Sequence, residues 1–423
     1  MNHTDTAPPR ATIDEPPGAL APYRVLDLTT ELGALSTRLL AGMGADVIRI
    51  EPPGGHATRR RGPFLDGVVA LERSLYWLQM NAGKRGVTLN LETADGRALL
   101  RRLAERADFV VESLPVGALD RLGLGFEQLR AVNPCIIVTS ISPFGADGPR
   151  SGDPATDLTG MAAGGLLFLC GDRDRPPVRV TVEQAYAQAG IQAAVATMIA
   201  HFAREATGQG THVDVSMQEC VLTTLGNNRL LWPADRVVTH RAGGGRAFGD
   251  AGNRLIYEAA DGYAGFMRRS EQHLLLQRWL DDEGIDLGFS VADWQGLPLY
   301  GEGAPPAEQV AALEAVLAAF FAGRRKRDLQ RDAQGRGLIL AEVASPLDLA
   351  SDEHLAARGY FVPVEYPEFG RALRVPGAPF IASVAPWRTG RAPRRGEHNV
   401  EIYCDEMGLS RDALSALKAA GAI

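Results

Sequence analysis

The chain has 423 residues, 45% hydrophobic and 22% charged, enough for two domains of an ordinary globular protein and unlike a fibrous or wholly disordered chain. A formal net charge of -7 leaves no basic excess to neutralise phosphates, so nucleic acid is excluded as the main partner. No apolar run approaches the roughly 20 residues that span a bilayer, so no membrane partner is expected.

Residues 1–22 (MNHTDTAPPRATIDEPPGALAP) are proline-rich, lack the apolar stretch of a signal peptide, and read as a disordered leader. Tyr23 to Thr29 then reads as a buried strand, Leu35 to Met43 as a helix and Ala45 to Glu51 as a second strand. The alternation continues with strands over Val87–Leu91, Phe109–Glu112 and Ile136–Ser140 and helices over Ala94–Arg106 and Phe126–Ala131. This is the pattern of an α/β protein with a doubly wound, largely parallel sheet. A dinucleotide site is disfavoured: the first turn, TELGALS, has the single glycine Gly33 where the phosphate fingerprint needs three.

The stretch from Phe144 to Gly190 follows an apolar strand through a Gly/Pro turn, starts a helix at Asp157 and enters another near Glu183. Beyond it, Thr211–Ser216 alternates like a strand and Met217–Leu231 reads as one helix. Pro233 to Arg254 is polar and glycine-rich, and LIYEAADGYAGFM reads as a hairpin with Asp261-Gly262 at its turn. Helices over Gln272–Asp282 and Ala307–Ala322 follow, so a smaller domain is placed at 233–341, leaving 23–232 and 342–423 to the large one. The last section holds the strand FVPVEY and a helix over Arg411–Ala419. Cys135, Cys170, Cys220 and Cys404 have no metal-ligand spacing; they read as the reduced thiols of a cytoplasmic protein, with no metal site.

The segments RVLDLTT, GADVIRIEPPGG, NAGKRGVTLNLETADG, LDRLGLGFEQLRAVNP, TGQGTHVDVSMQE, DGYAGF and GEHNVEIYCDEMGLS, in this order, resemble the class III CoA-transferase family, which includes formyl-CoA and crotonobetainyl-CoA transferases and 2-methylacyl-CoA racemases. The resemblance implies an interlocked dimer whose large Rossmann-like domain is built from N- and C-terminal segments, with a smaller α+β domain on linkers. It implies transfer of CoA from an acyl-CoA such as succinyl-CoA to a small carboxylic acid, with CoA as substrate and no tightly bound cofactor. In that family an aspartate four residues before a glycine attacks the thioester, a covalent route that divides one hard transfer into easier ones.

With that glycine matched to Gly190, the aspartate position is occupied by Tyr186. A phenol with an ordinary pKa near 10 is protonated at neutral pH and is a poor substitute. The racemase pattern is missing too: Ala155-Thr156-Asp157 stands where a histidine would precede the aspartate. The resemblance therefore implies the subunit that lacks the nucleophile, paired with an Asp-bearing paralogue as in benzylsuccinate-type transferases. Two alternatives are a self-sufficient homodimeric transferase using Glu183 or Asp157, and a CoA-binding lyase or isomerase-like enzyme with Tyr186 as general acid. Asp157 also suits a helix start, and Glu183 a first helical turn. Arg121, Lys84, Arg85 and Arg59, with Ser113 and Leu89, are the expected CoA contacts; Gly243, Gly244 and Gly245 resemble a mobile loop over the site.

Overall fold

The computed structural model describes residues 17–248, 251–299 and 302–423, so most of the expected leader lies outside the described residues. Residues 18–22 are not disordered: they form a turn in which Leu20 is buried and its N–H donates to the Met43 carbonyl at 2.9 Å.

The chain divides into two units. Unit 1 comprises residues up to 157, 185–220 and 355–423; unit 2 comprises 158–184 and 221–354, so the division does not fall at 233 and 341. Unit 1 is built on β1 (Arg24–Leu28), α1 (Ala34–Gly42), β2 (Asp46–Glu51), α2 (Leu75–Met80), β3 (Arg85–Thr88), α3 (Ala94–Ala104), β4 (Phe109–Glu112), α4 (Ala118–Arg121), α5 (Phe126–Val132) and β5 (Ile137–Ser142); α6 (Asp157–Ala163) starts at the last residue of this segment and continues in unit 2, and α7 (Gln184–Thr207), from residue 185 on, and β6 (His212–Ser216) belong to unit 1 again. Every strand pairing in its sheet is parallel, in the order β3-β2-β1-β4-β5-β6. That is the doubly wound order with its switch point between β1 and β4, the place where such sheets present ligands at their carboxyl ends.

The strands are buried on both faces, hence their near-continuous apolar runs. Leu26, Ile48, Val87, Val110 and Val138 pack against Leu99, Leu100 and Leu103 of α3, and the cluster is completed by Ile402 and Tyr403 from the far end of the chain. β3 ends earlier than the alternation suggests. The Thr88 N–H donates to the Asn399 side chain, and Leu89, buried in the core, keeps a last bond from its N–H to the Glu51 carbonyl of β2 at 2.8 Å.

α7 has two unlike faces. Ala185, Ala189, Ala193 and Ala200 are buried, whereas Ile191, Val195, Ile199 and Phe202, at helical spacing, are exposed, Phe202 at 81%. At its start α7 lies close to α1: a Cβ at Gly190 would stand 2.9 Å from the Leu35 Cβ.

After β6, the helix expected over Met217–Leu231 is two, α8 (Met217–Thr223) and α9 (Asn228–Asp235), because Gly226 between them takes a φ of +57°. Unit 2 continues with β7 (Gly245–Phe248), β8 (Ala251–Arg254), β9 (Ile256–Ala259), β10 (Gly262–Met267), α10 (His273–Asp282), α11 (Ala307–Ala322), α12 (Lys326–Gly335) and β11 (Ile339–Glu342). The β9–β10 hairpin is present, but Gly262 already pairs with Ala259, so its two connecting residues are Ala260 and Asp261. Tyr257, Phe266, Trp279 and Phe321 form the centre of this unit's core. α13 (Pro346–Ala350) and α14 (Glu353–Ala357) lead back to unit 1, where β12 (Phe361–Tyr366) and β13 (Arg371–Pro376) make an antiparallel hairpin before α15 (Arg411–Ala419).

Candidate functional site

At the switch point the first turn closes on β4. The Thr30 N–H donates to the Ser113 hydroxyl at 2.7 Å and the two hydroxyls lie 2.8 Å apart. Ser113 thus ties two strand ends together instead of facing a ligand. A Cβ at Gly33 would meet Thr29 and Ile141 side chains at 2.8 Å, so this glycine answers to packing and not to a phosphate.

One residue further, Glu31 pairs with Arg61 at 3.2 Å, and the Arg61 guanidinium lies over the Tyr76 ring at 4.4 Å. Tyr186 stands within the field of this cluster. Burial raises its pKa above the ordinary tyrosine value, with Glu31 and Asp157 adding to the rise against a backbone hydrogen bond at Asp157 and the charge of Arg61. Its phenol therefore stays protonated through the neutral range. Asp157 is buried at the first position of α6, and its Oδ1 accepts the Tyr186 N–H at 3.1 Å. The carboxylate that begins one helix thus takes up an N–H from the first turn of another, which four unsatisfied N–H groups at a helix start invite. Glu183 immediately precedes α7; it is half-buried, with a carboxylate oxygen 4.0 Å from Arg179.

Three expected CoA contacts have other work. The Lys84 ammonium is enclosed and donates to Asp27 Oδ2 and Thr37 Oγ1 at 2.8 Å each and to Asn81 Oδ1 at 3.1 Å, which uses all three of its protons. Arg49 meets the other Asp27 oxygen at 2.8 Å. Burial pushes Lys84 down to about 8 although Asp27 holds it up. Arg59 is fully enclosed: it grips Glu51 through Nε and Nη2 at 2.7 Å each, reaches Glu72 at 2.7 Å, and stacks 3.7 Å from the Trp77 ring centre. Arg85 spans Asp46, Glu401 and Glu406. A phosphate from solvent would have to displace these carboxylates, so none of the three presents a free guanidinium or ammonium to a ligand. Leu89 is likewise enclosed in the core.

Arg121, by contrast, is exposed on α4, where its Nη1 donates to the Val116 carbonyl at 3.3 Å. Beside it a cavity of about 370 Å³ opens along the ends of β4 and β5 and the first residues of β6, lined by Glu112, Asp120, Ser140, His212 and Asp214 among others. Burial raises the Glu112 carboxyl above the usual range, with Asp120 and Asp214 acting in the same direction. So acidic a lining repels phosphates, and a nucleotide on Arg121 would lie at the rim.

The glycine run is ordered and tethered within unit 2. Gly243 takes a φ of +56° and donates to the Gly171 carbonyl at 2.8 Å; the Gly244 carbonyl accepts from the Leu255 and Ile256 N–H groups; Gly245 begins β7. A Cβ at Gly243 would stand 2.3 Å from an Asp172 carboxylate oxygen.

Glu31 and Tyr76 escaped the sequence reading. The available signal was position: Glu31 lies three residues beyond the carboxyl end of β1, at the switch point. Among the described residues no group of His, Cys, Asp and Glu could hold a metal ion, and no helix is long and apolar enough to cross a membrane.

The sheet order and the polar residues at its carboxyl edge define an α/β enzyme scaffold. The sequence model of CoA-transferase family III matches residues 20–399, and the chain belongs to that family of acyl-CoA:carboxylate CoA-transferases. It is 34% identical to the succinyl-CoA:(R)-benzylsuccinate CoA-transferase subunit BbsE of Thauera aromatica, over 90% of this chain and 93% of the relative. It is 30% identical to the succinyl-CoA–D-citramalate CoA-transferase of Chloroflexus aurantiacus, over 96% of this chain and 98% of the relative. Among solved structures, a CAIB/BAIF family protein from Brucella suis aligns with a TM-score of 0.76 at 28% identity, covering 92% of this chain and 99% of that one.

Proposed function

We propose that this chain is the non-nucleophilic subunit of a heteromeric class III CoA-transferase that moves CoA from succinyl-CoA to a carboxylic acid in the cytoplasm, its partner being a paralogue that carries the attacking aspartate. The observation that carries this reading is Tyr186: a half-buried phenol at the nucleophile's position, held protonated by burial and by Glu31. Asp157 is a weak alternative nucleophile, since it is buried and engaged with the N–H of Tyr186. Glu183 is half-buried just before α7, with a carboxylate oxygen 4.0 Å from the Arg179 guanidinium, a neighbour that favours the ionised carboxylate without placing it on a thioester. A relative named as a subunit, and two named for succinyl-CoA as donor, support the assembly and the donor. The exposed apolar face of α7 supports association with a second chain. CoA is treated as substrate, with no cofactor held tightly, and Arg121 remains the cation available to its nucleotide end.

The test is intact-protein mass spectrometry after incubation with succinyl-CoA, with hydroxylamine or borohydride used to trap an enzyme thioester. The chain alone is expected to stay unmodified, while an Asp-bearing partner in the co-purified complex acquires the adduct. An adduct mapping to Asp157 or Glu183 of this chain would overturn the reading.

A further inference from the structure

Within unit 1, α1, α2, the β12–β13 hairpin and the chain after it enclose a second cavity, of about 440 Å³, in the size range of small-molecule sites. Its walls are apolar: Leu35, Leu39, Leu78, Val375 and Pro379 contribute, and Trp387 closes one side. The indole can pack there because α1 has glycine at position 42, where a Cβ would fall 2.0 Å from the Trp387 ring. None of the lining residues belongs to the Asp157–Tyr186 pair or to the Glu31–Arg61 cluster.

One cation stands in this apolar wall. Arg38 is only 7% exposed, and its guanidinium lies 5.2 Å from the Trp387 ring centre. Its Nη1 is buried without a hydrogen-bond partner among the described residues, as is the Trp387 Nε1. Burial lowers the Arg38 pKa, and the Tyr366 hydroxyl acts against that shift. The other charges of this region are compensated, Lys84 and Arg49 by Asp27 and Arg59 by Glu51. A buried guanidinium in apolar surroundings is normally paired, and among the described residues Arg38 has no carboxylate within ion-pair distance. At the rim, Arg374 lines the opening and is exposed, its guanidinium 5.3 Å from the Phe361 ring.

We infer that this cavity is a binding site for a small carboxylic acid with an aryl or alkyl body, the Arg38 guanidinium and Trp387 indole N–H holding the carboxylate and the leucine-lined walls the body. A fork of N–H donors matches a carboxylate, and a monoanion is all that one buried cation neutralises. The site is independent of which subunit bears the nucleophile, and its occupant needs no CoA.

Isothermal titration calorimetry of the full chain with 4-phenylbutyrate and octanoate, against the neutral 4-phenylbutyramide, tests this without any transferase assay. The acids are expected to bind at least about tenfold more tightly than the amide, the share carried by a hydrogen bond to a charged group. Arg38→Gln is expected to abolish that preference while leaving the amide's binding unchanged. Should that variant not fold, Val375→Trp, which fills the cavity and keeps the cation, is expected to block acid and amide alike. The inference is overturned if neither acid binds below about 1 mM, if acid and amide bind equally, if Arg38→Gln retains the acid, or if coenzyme A competes for the slot. A second copy of the chain plugging the cavity would register as the first of these. Failure of the thioester test leaves every one of these outcomes unaffected.

Discussion

The backbone N–H of Tyr186 donates to Oδ1 of Asp157 at 3.1 Å, joining the first turn of α7 to the first residue of α6. The side chain at position 186 is therefore held by its own backbone, and its chemistry can be exchanged without disturbing the join. On the proposed reading, Tyr186→Asp restores the carboxylate at the nucleophile's position and is expected to yield a succinyl-CoA-dependent adduct mapping to position 186. Tyr186→Phe should give no adduct and leave thermal stability within about 1 kcal/mol of wild type. An unmodified Tyr186→Asp protein that still folds would mean that the surroundings, and not only the residue, have lost the nucleophile's role.

The Asp27 carboxylate neutralises two buried cations, Arg49 and Lys84. Asp27→Asn leaves both facing each other without a counter-charge and is expected to cost about 3–5 kcal/mol. Lys84→Met removes one cation and leaves the Arg49–Asp27 pair, so its cost should be smaller, about 1–3 kcal/mol. Urea midpoints of the two variants order them; equal or reversed midpoints would show that the network is not centred on Asp27.

Glu397 is where stability should depend on acid. Burial alone would raise its carboxyl, but the Arg391 guanidinium, with Nη1 at 2.9 Å, and the Arg394 N–H, at 2.8 Å, outweigh it and lower the pKa from 4.5 to about 2. The folded state binds the proton less readily than the unfolded chain, so this stabilisation is complete above pH 4.5 and is lost as the pH falls toward 2. Glu397→Gln should melt below wild type at neutral pH, the gap closing across that window. A gap independent of pH would make the residue's contribution one of packing.

The exposed face of α7 offers a direct handle on assembly. Phe202→Glu places a charge in the middle of any surface that covers Ile199 and Phe202. Sedimentation velocity should show weakened association with no loss of helicity. Unchanged association would remove this face from the interface.

The sequence bounded some elements to the residue and others poorly, for identifiable reasons. α11, β12 and α15 are as expected because their signals are local: an apolar period, an alternation, and the Ser410 cap whose hydroxyl accepts the Ala413 N–H. β3 stops at Thr88, whose N–H is taken up by Asn399, 311 residues away, a contact that no local pattern carries. The basic residues show the same division. Lys84 and Arg59 look like phosphate ligands because their counter-ions, Asp27 and Glu51, become visible as partners only once the strands are laid side by side. Arg38 lies within an ordinary amphipathic run, and only the hairpin and Trp387 folding over it turn a surface-type residue into a buried one. Tyr186 stood out because the family resemblance sets it against an expected aspartate; its raised pKa rests first on burial and then on Glu31 and Asp157, which arrive from other elements.

The Pro393 carbonyl accepts from both the Trp77 indole N–H and Arg59 Nη2, each at 3.1 Å. During synthesis, the buried guanidinium and indole of the first eighty residues therefore wait for a backbone oxygen made more than three hundred residues later. Until it emerges from the ribosome, the edge of the sheet that holds Glu51 and Arg59 lacks this acceptor as well as the Ile402 and Tyr403 side chains. Closing a loop of that length is slow, and the unfinished edge stays open to unwanted pairing meanwhile. Translation rate and chaperone supply should thus govern the yield of native chain more strongly than the equilibrium stability of the finished fold.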